Sequence, residues 1–130
     1  MLGNLLILSL TGVLMGGLTA FVGLPVPWEP IAWVLCFCGW VVYALRTEIP
    51  QPFVTIVAAG PLWGVLASAT QVTFFDVYQE HNPWYAEELA GGLTGELVLS
   101  FFLQGTIMGG VFGALFGGIA LVIHKKLGRP

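Results

Sequence analysis

Four stretches of this chain, at about residues 5–24, 28–45, 53–75 and 97–123, are largely apolar and carry no charge in their middles. A helix advances about 1.5 Å per residue, so roughly 20 such residues cross the hydrocarbon core of a bilayer. In that core no water satisfies backbone N–H and C=O groups, so a spanning segment must satisfy them internally. Charged residues make up 8% of the chain and hydrophobic ones 57%, whereas a soluble domain carries about 25% charged residues. The expected fold class is an all-α membrane protein, a single domain over residues 1–130 with four transmembrane helices in a glycine-rich bundle.

The first run lacks the basic n-region of a cleaved signal peptide, so it is read as a helix that stays. The second run is short and the fourth long, so the fourth is expected to tilt or to extend past the hydrocarbon. Pro30 falls at a helix start, where a missing N–H costs nothing. Pro61 falls inside the third run and is expected to kink it.

Charge sorts by position. Arg46 lies between runs two and three, and Lys125, Lys126 and Arg129 follow run four. With four crossings these regions share one side with the N-terminus. Basic loops mark the cytoplasmic side, so both termini are expected in the cytoplasm, of a prokaryotic cell (inner) membrane. Glu29, Asp76, Glu80, Glu87, Glu88 and Glu96 fall on the other side. There the outer loop, residues 76–95, contains HNPWYAEELAGG. It reads as a short interfacial helix with Asn82 as N-cap, Pro83 at the first position, and Gly91 and Gly92 as the stop. Trp84 and Tyr85 suit the headgroup level.

Residues 105–118, GTIMGGVFGALFGG, hold six glycines inside the longest run. Glycine weakens a helix by roughly 1 kcal/mol relative to alanine, so a compensating gain is required. In lipid that gain is close backbone packing, since apolar contact alone brings helices nothing over lipid. Gly105, Gly109, Gly113 and Gly117 recur every four residues and share a face, with Gly110, Ala114 and Gly118 in a row beside it. Gly60, Gly64 and Ser68 form such a face on the third run, and Gly12, Gly16 and Ala20 on the first. One small-residue face of the fourth helix suffices inside a bundle. The second points to a homo-oligomer or to docking in a larger membrane complex.

Polar residues within the runs are few. Ser68 and Gln71 extend the glycine face of the third, while Glu96, Ser100 and Gln104 form a stripe on the fourth. Ser68 and Gln104 each lie about 12 Å from the outer ends of their helices, at matching depth. With Thr19 they outline a candidate outward-facing polar pocket under the loop, the alternative being that these groups glue helices together. No ionisable group sits at mid-depth, which argues against a proton-coupled pump. Four basic residues offer no patch for nucleic acid. No metal-ligand spacing, cofactor motif or catalytic constellation is present; His81 reads as an exposed loop residue, His124 as a charge at the cytoplasmic helix end, and Cys36 and Cys38 as small apolar residues in a buried helix.

Residues 10–46, LTGVLMGGLTAFVGLPVPWEPIAWVLCFCGWVVYALR, resemble the XapX-domain pattern of a glycine-rich helix, a short Pro-x-Pro turn and a second apolar helix. The resemblance rests on Gly12, Gly16, Pro25, Pro27 and Pro30. The turn departs from the family's Pro-Ala-Pro-Pro form by inserting Trp28 and Glu29. It implies a small integral membrane protein with no assigned activity. Taken together, the residues point to a non-enzymatic membrane protein acting as an oligomer or accessory subunit, its partners being the lipid bilayer and other copies or subunits, without a cofactor. The alternative is a passive channel or small transporter for a neutral or weakly polar solute or a cation, working through the outer pocket.

Overall fold

The computed structural model describes residues 1–128; Arg129 of the basic set lies outside them. The chain forms α1 (Leu2–Phe21), α2 (Trp28–Arg46), α3 (Pro52–Thr73), α4 (Phe75–His81), a 3-10 turn (Pro83–Tyr85), α5 (Ala86–Leu89) and α6 (Gly95–Lys126). Four of these helices, α1, α2, α3 and α6, are long and apolar enough to cross a membrane.

Local chemistry sets boundaries that hydropathy misses. α1 stops at Phe21, short of residue 24, because Gly23 adopts φ +72 and the carbonyl of His81 occupies the place of a Cβ there. α6 begins at Gly95, ahead of residue 97, because Thr94 Oγ1 accepts a hydrogen bond from Leu97 N at 3.2 Å. It then runs 32 residues, about 48 Å, well beyond a hydrocarbon core of about 30 Å. α3 runs unbroken through Pro61.

The outer loop differs more from its sequence reading. The helical run read from Pro83 is present as the 3-10 turn continued by α5 and ends before Gly92 at φ +72, but α4 precedes it, an element the sequence reading did not give. Asn82 stands at the N-cap position with Pro83 first, yet its side chain makes no capping hydrogen bond. It is buried, and its Nδ2 donates to Thr19 O (2.9 Å) and Tyr78 O (2.7 Å). Both carbonyls lie in the last turns of their helices, α1 and α4, where helices leave acceptors unsatisfied. One amide thus serves two helix ends, and this is why the loop folds down onto α1.

Glycines fix how the long helices meet. A Cβ on Gly60 would fall on the Gly109 carbonyl, and one on Gly64 on the Gly105 carbonyl. Farther along, Gly117 stands against Phe53 and Val57. α3 and α6 are therefore antiparallel with backbones in direct contact. Gly12 and Gly16 of α1 abut the backbone of Trp63 and Ala67, so α1 runs parallel to α3 on its other side. α3 is the central helix.

α2 docks differently. Gly39 has open space where a Cβ would be. α2 instead inserts Phe37 and Trp40, fully buried, into a cluster with Trp63, Phe112 and Phe116. Phe37 lies 4.4 Å from the Trp40 ring centre, 5.2 Å from that of Trp63 and 5.4 Å from that of Phe112, the tilted and edge-on packing that aromatic quadrupoles favour. Trp40 Nε1 donates to Thr11 Oγ1 and Tyr43 OH to Asn4 Oδ1, each at 3.0 Å, which sets α2 antiparallel to α1. One end of the bundle therefore gathers Met1, residues 47–51 and the end of α6. The other gathers residues 22–27 and 74–94.

Several residues lie elsewhere than expected. His124 is buried against residues 50–54 rather than set at the surface. His81 is half-buried, its Nδ1 2.8 Å from Val77 O. Cys38 is exposed on the outer face of α2 and Cys36 half-buried. In the second row on α6, Gly110 packs against Pro61, but Ala114 is exposed and Gly118 faces open space, so the bundle leaves these last two uncovered.

Candidate functional site

At the acidic end the glycine contact between α3 and α6 stops. Gly64 against Gly105 is its last close approach in that direction; one turn farther along α3, Ser68 takes over, its Oγ donating to Phe101 O at 2.7 Å. Beyond Ser68 the two helices no longer touch backbone to backbone. A cavity of about 350 Å³ opens there, within the 300–1,000 Å³ range of small-molecule sites.

Every packed element contributes to its lining. Met15 comes from α1, and Glu29, Pro30 and Trp33 from α2. Trp63, Ser68 and Gln71 come from α3, and Ser100, Gln104 and Met108 from α6. Tyr78, Tyr85, Glu88 and Leu89 of the outer segment complete it. Away from the acidic end the lining stops at Trp33, Trp63 and Met108, and the Phe37 cluster fills the interior beyond. The cavity is blind.

The six pocket residues read from the sequence separate into three groups. Ser68, Gln71, Ser100 and Gln104 line the cavity, Ser100 and Gln104 at its exposed rim. Thr19 is buried behind it: its hydroxyl accepts a hydrogen bond from Gln71 Nε2 at 2.8 Å and faces the carbonyls of Met15 and Gly16. Glu96 is exposed one turn above the rim and is not part of the lining. Threonine on α1 thus orients glutamine on α3.

Sequence reasoning missed Glu29, Trp33, Tyr78 and Tyr85. Glu29 looked like a charge at the mouth of a helix, yet the folded outer segment covers it. Tyr85 OH lies 3.4 Å from Glu29 Oε2. Burial, and next the charge of Glu29, push the Tyr78 phenol far above its ordinary range. The same two causes, with Glu88 contributing, raise Tyr85. Both phenols consequently remain neutral O–H groups at physiological pH, in a field set by carboxylates.

Three of the cavity's donors are committed: Ser68 Oγ–H goes to Phe101 O, Gln71 Nε2 to Thr19 and Tyr85 O–H to Glu29. What the cavity offers a ligand includes negative charge from Glu29 and Glu88 and the faces of Trp33 and Trp63. Comparison with family models, with curated proteins and with solved structures found no match for this chain, so the reading of its function rests on the chemistry of this cavity.

Proposed function

We propose that this chain is a non-enzymatic integral membrane protein that binds a small solute in the cavity at its acidic end, the binding step of a small transporter. The observation that carries this reading is the blind, mixed-polarity cavity of about 350 Å³ between α2, α3 and α6, covered by α4 and α5. Because aromatic side chains fill the interior beyond it, the conformation described is one that binds without conducting. The basic residues gather at the opposite end, which supports an acidic end facing away from the cytoplasm and both termini inside it, in a prokaryotic inner membrane.

The test is a thermal-shift screen of the purified chain in mild detergent against neutral, cationic and anionic small solutes. A ligand present at 100 times its Kd stabilises a fold by about 2.7 kcal/mol, a readily measured rise in Tm. At least one class is expected to give that rise in the native chain and to lose it in Ser100→Trp, whose indole would fill the rim. No rise with any class contradicts the reading.

A second reading is favoured by one observation: Ala114 is exposed and Gly118 faces open space on the second small-residue row of α6. Such a row suits close approach of another helix, in a homo-oligomer or a larger membrane complex. Mass measurement in the same detergent distinguishes it, since a monomer alone contradicts the homo-oligomer.

A further inference from the structure

We propose that the ligand of this cavity is an amphiphilic organic cation, its charged head against Glu29 and its apolar part against Trp33 and Trp63. This deepens the solute-binding reading and rests on it.

Three features of the cavity select this class. First, its lining includes two carboxylates, Glu29 and Glu88, and no lysine or arginine. The basic residues described, Arg46, Lys125 and Lys126, lie at or beyond the far ends of their helices. An anion would meet uncompensated negative charge in surroundings that screen it poorly. Second, the Glu29 carboxylate is left short of donors. It has about four lone-pair positions, and among the described residues it receives one long contact, from Tyr85. A ligand that brings positive charge or N–H groups satisfies this carboxylate; one that brings only acceptors does not. Third, the walls are aromatic. Trp33 and Trp63 pack edge to face, their ring centres 6.1 Å apart, and Tyr78 and Phe101 meet likewise at 5.4 Å. Rings packed this way give the apolar part of such a ligand a large apolar surface with edge and face contacts.

Position adds to this. Glu29 stands in the first turn of α2, at the same end as the outer segment, while Trp33 and Trp63 lie deeper. A molecule with its charge toward the exterior and its apolar part toward the bundle matches that gradient. The surrounding acids, Asp76, Glu80, Glu87 and Glu96, raise the local concentration of cations at this end.

The experiment uses the full chain in lipid nanodiscs with radiolabelled benzyltrimethylammonium as probe. Its competitor is neopentylbenzene, the neutral carbon isostere of the same shape. Saturable binding of the cation is expected, with the isostere competing at least tenfold more weakly and Glu29→Gln losing at least tenfold in affinity. If the isostere competes as well as the unlabelled cation, the charge selects nothing and the cation assignment is overturned, while the solute-binding reading stands. If the cation does not bind saturably but the isostere, followed by its own label, does, the same conclusion holds. If neither binds, both fall. Should Glu29→Gln fail to fold, the comparison of the two probes on the native chain still decides.

Discussion

Gly64→Leu is expected to leave no folded protein in detergent, and Gly64→Ala to cost about 3 kcal/mol, the upper part of the range for overpacked cores. A Cβ at Gly64 would coincide with the carbonyl of Gly105, with Thr106 N at 2.9 Å behind it. Backbone cannot rotate aside as a side chain can, so α3 and α6 must separate. Separation loses the dispersion contacts of the longest helix pair, and lipid supplies no hydrophobic force to restore them. Gly118→Ala is the control. Nothing stands within 4 Å of that position, and alanine raises helix propensity by about 1 kcal/mol, so this variant should be as stable as the native chain or more so. Thermal denaturation followed by size-exclusion chromatography checks both. Equal loss in the two variants would show that glycine content matters and position does not.

Asn82→Leu is expected to cost about 3 kcal/mol and to release the outer segment from the bundle. The amide is 1% exposed and serves the carbonyls of Thr19 and Tyr78. A buried acceptor stripped of its partner costs about 1–3 kcal/mol, and here two are stripped together. Leucine keeps asparagine's branching at Cγ and leaves no void, so the loss does not come from a cavity. Hydrogen exchange should show residues 75–90 losing protection while the middles of α3 and α6 keep theirs. Because Tyr78, Tyr85, Glu88 and Leu89 line the cavity, the same variant should bind ligand poorly. Retained protection in the outer segment would contradict this role for Asn82.

These two residues show what the sequence made legible. The glycine faces were visible because a four-residue period is a property of one helix, and one face on each of α1, α3 and α6 does meet a backbone. What the period could not say was which faces would pair. That depended on α2, which docks through Phe37 and Trp40 and carries no such face. Asn82 does take the N-cap position that Asn-Pro signals, but its side chain caps nothing there, and local pattern carries no trace of a carbonyl 63 positions away. The cavity was half legible. Ser68, Gln71, Ser100 and Gln104 stood out as polar groups at matching depth. Glu29 did not, since its burial arises only when the outer segment folds across the top of α2. Thr19 was polar and at the right depth but turned out to orient Gln71 instead of facing the cavity.

The proposed arrangement, four crossings with the cavity opening away from the cytoplasm, underlies the functional reading. Two single-cysteine variants test this most directly, Glu88→Cys and Lys126→Cys, each made after replacing Cys36 and Cys38 with alanine. Intact cells are treated with a membrane-impermeant maleimide. Glu88→Cys should label from outside at once, and Lys126→Cys only after the membrane is permeabilised. Labelling of Lys126→Cys in intact cells, or of Glu88→Cys only after permeabilisation, would invert the arrangement and contradict the account.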